Sequence, residues 1–253
     1  MAKKQRNTTI ELTENPQSRA RIEHVYPEIE GGRYAVKRTT GEYFNVEADI
    51  TCDGHDRVSA WLMVRRTNEV EWHAIPMNPL GNDRYEASMA CKETGEYAYT
   101  LKAIADHHLT WLTALEKRIG VSSDEDIKLQ LQIGVQFLKS IRNNAQKSSY
   151  KKIDAIIKKL DPGSHYKQAL KTARSKALQE ILTAFPADSN ATWYSKLLPL
   201  RIEREKARFS AWYSIFPRST STEGKHGTFK DCIKQLPRIQ KLGFDVLYLT
   251  PVH

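Results

Sequence analysis

Cysteine is scarce, and none of it is placed for a cross-linked framework or a metal. Cys52, Cys91 and Cys232 are odd in number and far apart, with no zinc spacing among them. They read as buried or free thiols in a reducing compartment, and no metal site is expected. Long apolar runs are missing too. None approaches the length of a bilayer span, which argues against an integral membrane protein. The opening Met-Ala-Lys-Lys-Gln-Arg-Asn is basic but lacks the apolar stretch of a secretory signal, so a cytoplasmic chain is expected. No Ser-His-Asp or Cys-His arrangement is supported. Gly31-Gly32-Arg33 is not a phosphate loop, because no strand-to-helix turn carrying Lys-Ser/Thr follows it. Adjacent His107 and His108 have diverging rings on a helix and read as capping or surface residues.

What is present fits a soluble globular protein: 253 residues, 40% apolar and 27% charged, enough for one large domain or two smaller ones. The formal charge of +9 attracts polyanions in general. The lysines read as spread over helices and tails, with no basic run interleaved with aromatics. No nucleic-acid partner is expected on that basis, and no membrane partner for want of a spanning run.

Residues 1–20 are polar, lack periodicity and contain Asn15-Pro16, the marks of a disordered tail. Over 21–105, short alternating runs (Tyr43 to Thr51, Val58 to Arg66, Trp72 to Met77, Arg84 to Cys91, Glu96 to Ala105) are separated by turn residues. That spacing argues a β-sandwich. Trp61, Trp72 and Tyr85 in these runs invite a starch-binding platform, but core packing explains them more simply. Over 106–189 the period becomes helical. Trp111, Leu112, Leu115 and Ile119 mark a first helix. Ser122-Ser-Asp-Glu125 reads as a capping box for a second, with Ile127, Leu131, Val135, Leu138 and Ile141 as its stripe. Tyr150 to Leu160 is a third helix and Tyr166 to Phe185 a fourth. Each stripe must pack on another helix or on a partner. Residues 190–206 return to strand and linker character.

The stretch 207–253 reads as strand, helix, strand. Phe209 to Phe216 is an aromatic strand closed by Pro217, and Thr228 with Asp231 starts a helix. Phe229, Ile233, Leu236 and Leu242 follow near helical spacing, and Gly243 ends it. Val246 to Leu249 is apolar enough for a strand buried on both faces. Together they form a parallel βαβ unit, which needs more strands beside it. Here a resemblance appears. Gly227-Thr-Phe-Lys-Asp231 and Leu242-Gly-Phe-Asp-Val-Leu-Tyr-Leu-Thr-Pro-Val-His253 resemble the opening of the (β/α)8 barrel of the alpha-amylase superfamily. Arg21-Ile-Glu-His-Val-Tyr-Pro-Glu-Ile-Glu-Gly-Gly-Arg-Tyr-Ala-Val-Lys-Arg38 and Arg208-Phe-Ser-Ala-Trp-Tyr-Ser-Ile-Phe-Pro-Arg-Ser219 are similar to one of its families, the alpha-1,4-glucan:maltose-1-phosphate maltosyltransferases. The resemblance covers roughly residues 20 to 253.

The resemblance implies a multidomain chain: an N-terminal immunoglobulin-like β-sandwich with a helical-bundle insert, then the first βαβ unit of an incomplete (β/α)8 barrel. It implies a glycosyltransferase that moves maltosyl from maltose 1-phosphate to the non-reducing ends of alpha-1,4-glucans without a cofactor. It also implies a homodimer through the insert, although the stripes alone fit an intramolecular bundle equally well. The family's catalytic carboxylates lie on later barrel strands, so no catalytic residue is assigned and this chain alone is expected to be inactive. Positions that reach the active face are Tyr213 and, in a stretch the resemblance places at the donor sugar, His253. Lys225, beside His226, would offer a cation to a phosphate, against the simpler reading of a solvated loop. Asp245, at the start of its strand, reads as structural. A non-catalytic glucan-binding or dimerisation module, or a piece of another alpha-amylase-superfamily glycoside hydrolase, remain the alternatives.

Overall fold

A computed structural model describes residues 18–163, 166–185, 190–221, 224–250 and 252. Twelve strands and six α-helices are assigned among them, in mixed sheets. The expected tail falls almost wholly outside the described residues, and so does His253. Ser18 and Arg19 are described, and the Arg19 guanidinium donates to Asp53 at 2.7 Å.

The first sheet joins β1 (Ala20–Tyr26), β3 (Tyr43–Cys52), β7 (Arg84–Ala90) and β6 (Asn78–Gly81), in that spatial order. The second has the order β2 (Val36–Thr39), β10 (Leu198–Glu203), β8 (Gly95–Ala105), β4 (Val58–Arg66), β5 (His73–Pro76), with β9 (Thr192–Trp193) also on β8. Period-two alternation sends one side of each strand inward. Phe44, Val46, Ala48 and Ile50 of β3 thereby meet Leu62 and Val64 of β4 and Tyr99, Leu101 and Ala103 of β8 in a single core. Each buried Val, Leu, Ile or Phe among them adds about 1.5–3 kcal/mol over its exposed state. Residues 79–83, which read as a separator, instead contain most of β6. The turn is tighter, at Asn82 and Asp83, both with positive φ. Pro79 is tolerated because β6 is an edge strand.

Between β8 and β9 the described residues make five α-helices around a second core. In α1 (His107–Arg118), Asp106 caps the first turn by accepting from Leu109 N at 2.9 Å. For α2 (Asp124–Asn144), Ser123 is the cap, one residue later than the expected box, because its hydroxyl takes the Asp126 N–H at 3.2 Å. Helix α3 spans Tyr150–Leu160. The expected fourth helix is two, α4 (Tyr166–Ala173) and α5 (Lys176–Ala184). Ser175 interrupts it: its backbone is extended and its side chain accepts from Leu178 N at 3.3 Å, opening a new helix. The chain then rejoins the second sheet, where β10 lies parallel to β2 and antiparallel to β8. Thr192 Oγ1 donates to Ala20 O at 2.6 Å, which locks this return to the first strand.

The last elements are β11 (Trp212–Ile215), α6 (Phe229–Lys241) and β12 (Val246–Leu249), with the two strands parallel. Strand β11 is shorter than the aromatic run, and Phe209 is 82% exposed. Only Cys232 and Ile239 of α6 are buried, whereas Phe229, Ile233, Leu236 and Leu242 are exposed. Strand β12 is likewise half-buried to exposed, not enclosed on both faces. The stripe is real, and nothing among the described residues covers it.

Candidate functional site

The strand starts of β11 and β12 are pinned together. Asp245 N and Val246 N donate to Ala211 O at 2.8 and 3.2 Å. The Asp245 carboxylate accepts from Lys206 Nζ at 2.6 Å and from Ala211 N at 3.0 Å. The Lys206 ammonium, aided by the Ala211 N–H, holds this carboxyl below its ordinary range. Asp245 is thus committed to positioning at the end of the strands away from their C-termini.

At the C-terminal ends, Pro217–Thr220 forms a 3-10 turn. Thr220 Oγ1 donates to Pro217 O at 2.7 Å and lies 3.8 Å from the buried Cys232 Sγ. Gly227 closes the loop through its N–H to Arg218 O at 2.9 Å. A Cβ there would lie 2.3 Å from Pro217 O, so only glycine fits. Asp231 then fixes the start of α6, accepting from Thr228 N at 2.9 Å, Thr228 Oγ1 at 2.8 Å and Lys234 Nζ at 2.8 Å. The Lys234 contact, then the Thr228 N–H and hydroxyl, drive its carboxyl well below the usual range.

Around this frame, Lys225 is exposed in the loop. Tyr213 is half-buried and packs edge-on against Phe244, with centroids 5.0 Å apart, which puts it toward the strand starts and not at their C-terminal ends as expected. Among the described residues no hydrogen bond or ion pair joins these two, and His253 lies outside the described residues. Thr250, which the sequence reading passed over, follows β12 with a buried hydroxyl that has no partner among the described residues. Its only prior signal was a Thr-Pro pair, which reads simply as a strand end. Asp231 and Asp245 are the only carboxylates of this unit among the described residues, and both are engaged. No pair flanks an open space as retaining glycoside transfer requires.

Elsewhere, a cleft of about 690 Å³ opens between the sheets, lined by Ile75, Met89 and Tyr97 with Arg66, His73 and Lys92. Arg66 is already paired with Glu93 and stacked over Tyr97 at 5.3 Å. Tyr85 packs against the sheet core, but Trp61 and Trp72 do not belong to it. Trp61 lies under Lys102 Nζ, 5.7 Å away, and Trp72 under the Arg65 guanidinium, 4.8 Å away, on the outer side of the second sheet. His108 is buried against Phe137, 4.9 Å between centroids, and burial lowers its pKa, so it is not a surface residue. Among the described residues no group of His, Cys, Asp and Glu could hold a metal, and no helix is long and apolar enough to cross a membrane.

Residues 18–204 match the family model for alpha-1,4-glucan:maltose-1-phosphate maltosyltransferase, domain N/S. Over 92% of its length the chain is 42% identical to the protein of that name from Chlorobaculum tepidum and covers 34% of it. The corresponding protein of Myxococcus xanthus is 38% identical over 92% of this chain, which covers 36% of it. That of Methylacidiphilum infernorum is 36% identical, again over 92% of this chain and 34% of its own length. The chain therefore spans about a third of the length of the curated relatives it matches. The matched range takes in both sheets and all five inserted helices, and on that ground the chain belongs to the alpha-1,4-glucan:maltose-1-phosphate maltosyltransferase family.

Proposed function

We propose that this chain is the N-terminal portion of an enzyme that transfers maltosyl units from maltose 1-phosphate to the non-reducing ends of alpha-1,4-glucans. The observation that carries this is the family match over residues 18–204, with identity extending over 92% of the chain. In this reading the two sheets are an immunoglobulin-like sandwich and the helices between β8 and β9 are its insert. The β11–α6–β12 unit opens a (β/α)8 barrel whose later strands bring the catalytic carboxylates. The uncovered apolar positions of α6 and β12 support that assignment, because neighbouring strands and helices would bury them.

Donor binding in this reading uses the C-terminal strand ends, with His253 beside the sugar and Lys225 near the phosphate; Tyr213, proposed for the same role, sits lower on β11 against Phe244. The Thr250 hydroxyl, buried without a partner among the described residues, is a further donor at the same end of β12. The protein works in the cytoplasm, without a cofactor, as a homodimer through the insert. Val121 and Leu129, 87% and 55% exposed where α1 passes into α2, offer an apolar contact for the second copy.

The test is phosphate release from maltose 1-phosphate in the presence of glycogen. The purified 253-residue chain should release none, and the native protein isolated from its source should release it and lengthen the glucan. A native protein that binds glycogen without turnover would replace this reading with that of a glucan-binding module.

A further inference from the structure

The basic charge is not spread over helices and tails. Residues 139–176 hold eleven Lys and Arg against two Asp, a net of +9, which is the whole formal charge of the chain. The rest of the sequence is neutral in sum. The fold concentrates this charge further. Helix α3 buries Ile153, Ile156 and Leu160, and α4 buries Ala169, Thr172 and Ala173, all facing the helical core or the packed neighbour helix. The opposite faces carry Lys151, Lys158 and Lys159 on α3 and Lys167 and Lys171 on α4, with Arg174 in the turn just after α4, every one exposed. The helices pack against each other as consecutive elements, so the two stripes lie side by side on the outside of the insert.

Local carboxylates are used elsewhere. Asp154 accepts from Arg142 at 2.7 Å, and Glu180 from Lys152 at 3.0 Å. No ion pair among the described residues engages the six cations of the two stripes. Lys167 and Lys171 are four residues apart on α4. Like charges at that spacing weaken a helix, so the stripe is a cost to folding that a partner would offset.

We infer that the outer face of the α3–α4 pair is an adsorption surface for an anionic lipid bilayer. Clusters of four to eight Lys and Arg on an amphipathic helix have that chemistry. No helix among the described residues is long and apolar enough to cross a membrane, and adsorption at the surface needs none. The apolar faces of both helices are occupied by the insert's own core, so attraction is electrostatic and the helices do not sink into the acyl region. Single-stranded nucleic acid is disfavoured because no aromatic ring on this face is free to stack: Tyr150 lies under Arg142 at 4.5 Å, and Tyr166 donates to Asp124. Lysine outnumbers arginine, which suits diffuse headgroup phosphates better than base-edge readout. The face also repels a copy of itself, which leaves the Val121 and Leu129 side of the insert for any second copy.

The experiment is co-sedimentation of the full chain with vesicles of phosphatidylcholine alone or mixed equally with phosphatidylglycerol, at low and raised salt. Binding is expected only to the anionic vesicles and is lost as salt rises. The variant K167Q/K171Q/R174Q should bind roughly a hundredfold more weakly with an unchanged melting midpoint, while K92Q/K230Q/K241Q, with the same charge loss elsewhere, should bind normally. Equal binding to neutral vesicles, no binding to either, or equal losses in the two variants would overturn the inference. So would duplex DNA held at a salt concentration that releases the vesicles, which would give the face to nucleic acid.

Discussion

Gly134 of α2 lies directly under the Trp111 ring of α1: a Cβ at position 134 would sit 2.1 Å from Trp111 Cζ2. Trp111 is anchored from its other end, its indole N–H donating to Gln130 O at 2.8 Å. Glycine in a helix interior normally costs about 1 kcal/mol relative to alanine. Here the cost is accepted because the two helices close onto one another through that ring. Gly134→Ala should therefore destabilise the insert by roughly 1–3 kcal/mol, as overpacking does, measured by chemical denaturation. A gain in stability would show that α1 and α2 are not held at this distance.

In the sheet core, Phe44 is fully buried and meets Tyr99 edge-on, with centroids 4.9 Å apart and planes at 76°. Phe44→Ala should cost about 3–5 kcal/mol. Tyr99→Phe keeps the ring but leaves the Pro27 carbonyl without its hydroxyl donor, and should cost about 1–3 kcal/mol. Urea unfolding of both variants tests the order: the ring matters more than the hydroxyl.

Acid should loosen the C-terminal unit first. Asp231 and Asp245 have folded pKa values below their unfolded ones. Their contribution is complete above the ordinary carboxylate range and is lost as pH falls through the lower, folded values. Hydrogen exchange at the amides of residues 211–216 and 229–233 should accelerate at acid pH before that of β8. Asp245→Asn should raise exchange near Ala211 at neutral pH and flatten its acid dependence. Uniform acceleration across all sheets would contradict the assignment.

If the homodimer forms through the apolar end of the insert, Val121→Asp with Leu129→Asp should convert it to monomer without changing its melting profile, since both residues are exposed. Sedimentation velocity of the native-length protein reads this directly. An unchanged dimer would move the interface elsewhere.

How much was legible beforehand depended on whether a residue's partner lies close in sequence. Thr228 with Asp231, and the stripe of α3, are fixed by neighbours within a turn or two, and the sequence showed them. So did the alternation of β3, where Phe44, Val46, Ala48 and Ile50 all turn to one side. Ser175 was harder, because its apolar neighbours keep helical spacing across the break while only its hydroxyl marks a new start. Trp61 and Trp72 looked like core residues by composition. What puts Trp61 outside is the strand register, in which Leu62 and Val64 face inward and Trp61 the other way, while Trp72 lies before β5 and stacks under Arg65. The charge of the insert was written in the sequence but became a surface only when α3 and α4 packed together. At the candidate site, Lys225 and Tyr213 come from the chain pattern, but the environment of Thr250 depends on burial that no local pattern reveals.

The most direct test of the central proposal is the mass of the native protein in an extract of its source, detected with an antibody raised against the two-sheet body. Relatives of which this chain covers about a third lead us to expect a species several hundred residues longer than 253. A native species of 29.0 kDa would contradict the maltosyltransferase reading for this chain and leave a binding or dimerisation module in its place.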